Sequence, residues 1–300
     1  MNTQSNAIPE SALNSRAMSP TRPLYWSVRR ELWEYRSIYL APLAIAGVVL
    51  LGFVIATLGR AMATQDLARR AAVLREPADF AELLIMGAAF LVGIFYSLEA
   101  LHGERRDRSI LFWKSLPVSD VTTVLAKASI PIVVIPLLSF AITFAVQLIM
   151  LLLSSAVMAG SGLHAAVLWT QPSMFQRSVA LLYHLVAVHG LWYAPIYAWM
   201  LLVSGWARRA PFLWASLPLA AIGIVEKLVF STSHFANLLM SRISGSEAGG
   251  DFSKGSTSMD HMMELTPGRF LSSPGLWIGL AVAAAFLAAA IRLRRYREPL

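Results

Sequence analysis

The chain has 300 residues, of which 57% are hydrophobic and 14% charged, with a formal net charge of +8 and no cysteine. Soluble domains carry about 25% charged residues, so this composition excludes an ordinary water-soluble fold and calls for several membrane spans. The lack of Cys excludes a disulfide framework, thiol chemistry and a Cys-ligated metal. The basic excess does not imply nucleic acid: Lys and Arg collect at the ends of apolar runs, where they orient a membrane protein and meet anionic lipid.

Residues 1–21 are polar and lack the apolar segment of a signal peptide, so they are expected to form a disordered cytoplasmic tail. Residues 22–300 are expected to form one all-α domain of six membrane-spanning helices. From Tyr25 the chain alternates aromatic and charged residues, among them Trp26, Arg29, Arg30, Trp33 and Arg36. Leu24, Val28, Leu32 and Tyr35 recur at helical spacing. Trp, Tyr and Arg at one depth predict a helix lying in the headgroup layer. Pro42 falls near the turn into the first span, at about residues 38–58.

Residues 59–79 carry mixed charge and read as a small helical hairpin outside the membrane. The second span is predicted at 80–101, with Glu82 and Glu99 at its two ends, neither needing deep burial. A short basic stretch follows. It holds Glu104, Arg105, Arg106, Asp107 and Arg108, then the apolar patch Ile110, Leu111, Phe112 and Trp113, then Leu116, Pro117, Val118 and Ser119. This stretch is too polar for hydrocarbon and too short for a domain. The Pro117 break and Ser119 predict a short helix that stops, then an N-cap that starts the next one.

The third span is predicted at 121–157. A helix of that length reaches roughly 55 Å at 1.5 Å per residue, against a hydrocarbon thickness of about 30 Å. It must protrude, tilt or break, and Pro131 and Pro136 are the expected kink points. Residues 160–176 form an outer loop with Trp169 as an interface anchor. Spans four to six are predicted at 177–206, 211–230 and 274–291. Between the last two, the Gly/Ser-rich stretch 241–257 reads as mobile. With both termini in the cytoplasm, 16 of the 25 Lys and Arg fall on the cytoplasmic side, close to span ends.

The pattern Glu104-Arg105, Ile110, Ser115-Leu116-Pro117-Val118-Ser119 and Lys127 resembles the cytoplasmic loop of ABC-2-type transporter permeases. The stretch 25–42 is similar to the N-terminal interfacial helix of that family. With the six spans, the resemblance covers most of the chain beyond about residue 22. It implies a permease subunit of an ATP-driven exporter in the bacterial inner membrane. The loop would form a coupling helix docked on a dimeric ATPase, and a second copy or a related permease chain would complete the path. ATP and Mg would then belong to the partner, with no cofactor on this chain and no enzymatic activity of its own. Coupling would rest on Glu99, Glu104, Arg105, Arg106, Asp107, Arg108, Ile110, Leu116, Pro117, Val118 and Ser119. Glu104 and the arginines after it are expected to face the partner, at little cost to folding when Glu104 is lost. Leu111, Phe112 and Trp113 would fill an apolar pocket or pack beneath the spans. The bland alternative for the arginines is topology alone. The other class of function is a non-transporting membrane sensor or assembly subunit.

No other chemistry stands out. Residues 250–257 have the residue types of a phosphate-binding loop in the wrong spacing. His184 and His189 are five residues apart, with no Glu in the metalloprotease arrangement. Met259, His261, Met262 and Met263 are soft ligands that suit copper(I), or simply the apolar face of an outer helix. Thr143, Gln147, His184, Tyr193 and Tyr197, with Tyr183, either line a substrate path or bond helix to helix. Glu226 beside Lys227 is either an interfacial pair or part of an outer gate.

Overall fold

The computed structural model describes residues 21–61, 67–115, 118–160, 174–244 and 270–296. The predicted tail up to residue 20, Leu116, Pro117, Trp169 and the Met/His cluster at 259–263 lie outside the described residues. Every regular element among the described residues is helical. Five helices are long and apolar enough to cross a membrane: Ser37–Thr57, Phe80–Arg106, Asp120–Val157, Pro211–Phe230 and Pro274–Tyr296.

Helix α1, Thr21–Glu34, presents Val28, Leu32 and, just past its end, Tyr35 to the core around Ile38 and Tyr96. Helix α2 is Ser37–Ala61 and α3 is Leu67–Ala100. The latter runs on from the predicted second span through most of the stretch expected to be a hairpin. Two short helices follow where one was expected, α4 at His102–Arg106 and α5 at Ile110–Ser115. Arg108 separates them in the left-handed region, at φ 57°. Ser119 then caps α6, Asp120–Ser129, by accepting from the Thr122 N–H at 3.1 Å.

The overlong third span takes up Pro131 in a π-helical turn at Ile130–Val134, and Pro136 falls in the first turn of α7, Ile135–Gly160, which continues it. The fourth span departs further from a single rod. Helix α8, Met174–His184, passes into a π-helical stretch Leu185–Trp192, and α9, Ala194–Trp206, restarts after a bend of 44°. Pro195 near the start of α9 has no N–H for the ladder, so the break falls at Tyr193. The expected six spans are therefore five continuous helices, and six if the bent pair counts as one.

The two π-helical stretches touch. A Cβ added to Gly190 would stand 2.8 Å from the Ile132 carbonyl oxygen, so the backbones meet there through glycine. Helix α10 is Pro211–Phe230, α11 is His234–Ser244 and α12 is Pro274–Tyr296. Ala194 and Ala198 of α9 pack with Ala283 of α12, small residues that let two helices approach closely. One apolar core joins α2, α3 and α7 through Phe53, Ile85, Ile142 and Met150.

Candidate functional site

Five elements converge at the end of the bundle that carries α1 and the α4–α5 loop. Glu31 lies on the apolar stripe of α1, three residues after Val28 and four before Tyr35, so helix formation turns it inward. Its side chain is 1% exposed. Lys127, also 1% exposed, reaches it from α6 at 2.8 Å and reaches Glu104 of α4 at 3.1 Å. The Tyr96 hydroxyl of α3 donates to the other Glu31 oxygen at 2.8 Å. Arg294, near the end of α12, pairs with Glu104 through Nη1 and with Asp120 of α6 through Nε at 3.2 Å. Arg30 pairs with Glu31 and donates to Glu104 at 3.1 Å.

Electrostatics explain why the Glu31 carboxylate stays charged. Burial alone would push the Glu31 carboxyl up, but Lys127 and Arg30 beside it outweigh burial and hold it below its ordinary value of 4.5. Glu34, on the exposed side of the same helix, moves the other way, raised by desolvation and by the charge on Glu31.

The rest of the loop is fastened to α9. Arg105 donates to the carbonyls of Gly205 at 2.8 Å and Ala207 at 3.3 Å, where the last turn of α9 leaves acceptors open. Ser204 Oγ accepts the N–H groups of Leu101 and His102, at 2.9 and 2.8 Å. The Arg30 guanidinium also lies 3.9 Å from the Trp113 ring centroid, pinning α5 against α1.

The predicted coupling residues thus divide by direction. Glu104 and Arg105 are 3% and 5% exposed and turn into the chain, which corrects the expectation that they face outward. The reason is charge pairing: Lys127, Arg294 and Arg30 all converge on Glu104 from within the bundle. Ile110 is also buried. Glu99 is half-buried and takes Arg106 at 3.0 Å, while Arg106, Asp107 and Arg108 lie exposed. Leu111 and Phe112 are 59% and 60% exposed, and Val118 and Ser119 sit at the surface end of α6.

On α1, Trp26 and Trp33 are exposed, with the Arg29 guanidinium over both rings at 5.1 and 4.8 Å. Arg36 is exposed as well, whereas Arg30 turns to the loop.

The residues predicted for a path fall in two places. Phe90 of α3 brings together His189, Tyr193 and Tyr197, with ring centroids at 6.1, 4.8 and 6.2 Å. Tyr197 presses its ring edge on Gly93, and no partner among the described residues meets its hydroxyl; the same holds for Thr143 Oγ1, His184 Nδ1 and His189 Nε2. Gln147 donates to Glu82 at 3.3 Å, so Glu82 is buried after all. Glu226 stands apart. Its carboxylate accepts from the Thr232 hydroxyl and from the N–H groups of His234 and Phe235, at 2.9, 2.7 and 2.8 Å, closing the start of α11.

Sequence reasoning passed over Glu31, Lys127, Arg294 and Asp120 as site members, counting the cations among topology determinants. The signal was present for two of them. Glu31 sits on an apolar stripe and Lys127 lies within an apolar run. No family model, curated protein or solved structure matches the chain.

Proposed function

We propose that the chain is the membrane-spanning permease subunit of an ATP-driven exporter of the ABC-2 type, energised by a separate ATPase. The arrangement of the α4–α5 loop carries this reading. It stands between the second and third spans, is anchored from below by Trp113, Glu104 and Arg105, and presents Arg106, Asp107, Leu111 and Phe112 outward. A loop that served topology alone needs neither the exposed apolar pair nor the anchoring. The basic residues at this end support a cytoplasmic position at a bacterial inner membrane, with both termini on the same side. Trp26, Arg29 and Trp33 then lie at headgroup depth and meet lipid. His189, Tyr193 and Tyr197 around Phe90, with Thr143, supply hydrogen-bonding groups along a path completed by a second permease chain.

Purification of the chain in mild detergent tests this. A nucleotide-hydrolysing chain should co-purify and should be lost with Leu111→Asp or Phe112→Asp while the permease stays abundant. Recovery without any such chain favours a sensor or assembly subunit instead.

A further inference from the structure

The buried charges are arranged as a chain, not as isolated pairs. Glu31 on α1 holds Lys127 on α6, Lys127 holds Glu104 on α4, and Glu104 holds Arg294 on α12. Four segments, far apart in sequence, therefore meet through four side chains. Replacing buried ion pairs by apolar groups is often neutral or stabilising, so stability alone is a poor reason for such a network. Its distinctive property is directional: each pair is strong only in one geometry, and a small displacement leaves a charge uncompensated.

The network also has an input and an output. Arg30 contacts both Glu31 and Glu104 and stacks on Trp113, next to the exposed Leu111 and Phe112. A pull on α5 thus acts on both carboxylates. Beside it lies an apolar seam where Leu101, at the junction of α3 and α4, packs with Val124 of α6, Leu201 of α9 and Ala290 of α12. Leu101 of the seam and Arg294 of the network line one small hollow, together with Arg105, Ile110, Gly205 and Leu293.

We infer that Glu31, Lys127, Glu104 and Arg294 form an internal lock that keeps the ends of α6 and α12 closed against α1 and α4, and that displacement of the α4–α5 loop releases it. The inference rests on the reading of that loop as a partner-docking element, which supplies the displacement. The lock itself is a property of this chain alone. Movement at the loop is passed to the third and last spans together, through Lys127 and Arg294, not only to the two spans the loop connects.

The chain has no native Cys, so a single Cys reports without background. Ala290 is fully buried in the seam, and Ala290→Cys in the purified chain, in lipid nanodiscs with no partner and no nucleotide, should react slowly with a maleimide. Adding Glu104→Gln or Lys127→Met should raise the rate about tenfold or more, the shift expected from losing ~1.4 kcal/mol of preference for the closed arrangement. Leu111→Cys, on the exposed face, should react alike in every background. Asp120→Asn removes only the 27%-exposed outer contact of Arg294 and should give a smaller rise with the fold kept, so it decides the matter if the stronger variants aggregate. Unchanged Ala290→Cys reactivity in the folded variants overturns the lock. Because no partner is present, loss of the docking reading would leave this result standing, and the reverse also holds.

Discussion

Lys127 Nζ lies 2.8 Å from Glu31 Oε1 across 96 positions of sequence, with both side chains 1% exposed. A lysine so placed is tolerable only because two carboxylates surround it. Removing it leaves Glu31 and Glu104 buried with less compensation, a change that costs about 3–5 kcal/mol in comparable pairs. Lys127→Met should therefore lower the thermal midpoint of the detergent-solubilised chain strongly. Glu31→Gln combined with Lys127→Met should recover part of the loss, since one orphaned charge is gone. A Lys127→Met midpoint equal to the native one would contradict the pairing.

Acid should act on the same pair. The Glu31 carboxyl titrates below its ordinary value in the folded chain, because Lys127 and Arg30 outweigh its burial. The unfolded chain thus binds the proton first as pH falls. The stability Glu31 contributes is complete above its ordinary value of 4.5 and is lost as pH drops from there through the lower folded value. Thermal unfolding followed from neutral pH into this range should show the decline, and Glu31→Gln should flatten it. An identical pH profile for Glu31→Gln would exclude Glu31 as its source.

Close helix contacts give a third expectation. A methyl group on Gly190 would meet backbone, the Ile132 carbonyl at 2.8 Å, and cannot be accommodated by a side-chain rotation. On Gly93 it would meet the Tyr197 ring at the same distance, which can tilt. Gly190→Ala should cost about 1–3 kcal/mol, as overpacking does, and Gly93→Ala less. Gly47→Ala meets nothing within 4 Å and serves as the neutral reference. Melting curves of the three variants give the order directly. Equal midpoints for Gly190→Ala and Gly47→Ala would mean the two π-helical stretches do not touch.

The helical character of this fold was legible in long apolar runs, because hydrocarbon admits backbone only when its own groups bond each other. The Ser119 cap and the disturbance near Pro131 were legible for the same reason: both follow from local donors and acceptors. The break at Tyr193 was not, since Pro195 near a helix start and Pro195 inside a span look alike in sequence. Nor was the direction of Glu104. Short basic loops place their charges outward by default, and only the arrival of Lys127 and Arg294 from distant segments turns this one inward. The stripe around Glu31 and the apolar run around Lys127 hint that these charges are buried, but local spacing does not say which partners they meet across the bundle.

Glu226 offers the last test, because the sequence leaves it open between a gate and an interfacial pair. Its carboxylate accepts two backbone N–H groups at the start of α11 and one hydroxyl from Thr232. Helix starts have such donors unmet, and a carboxylate there satisfies them and suits the helix dipole. Helix α11 is held at its other end too, where Trp192 donates to the Arg242 carbonyl at 2.9 Å and the Arg242 guanidinium stacks on the Trp192 ring at 3.9 Å. Glu226→Ala should free the first end and leave the second held. Limited trypsin digestion should then cut faster after Arg242, while insertion and overall melting stay close to native. Glu226→Gln keeps one acceptor oxygen and should fall between. If Glu226→Ala leaves the cleavage rate unchanged, the carboxylate does not hold α11. A gating role would then regain its place as the better explanation of a carboxylate on this helix.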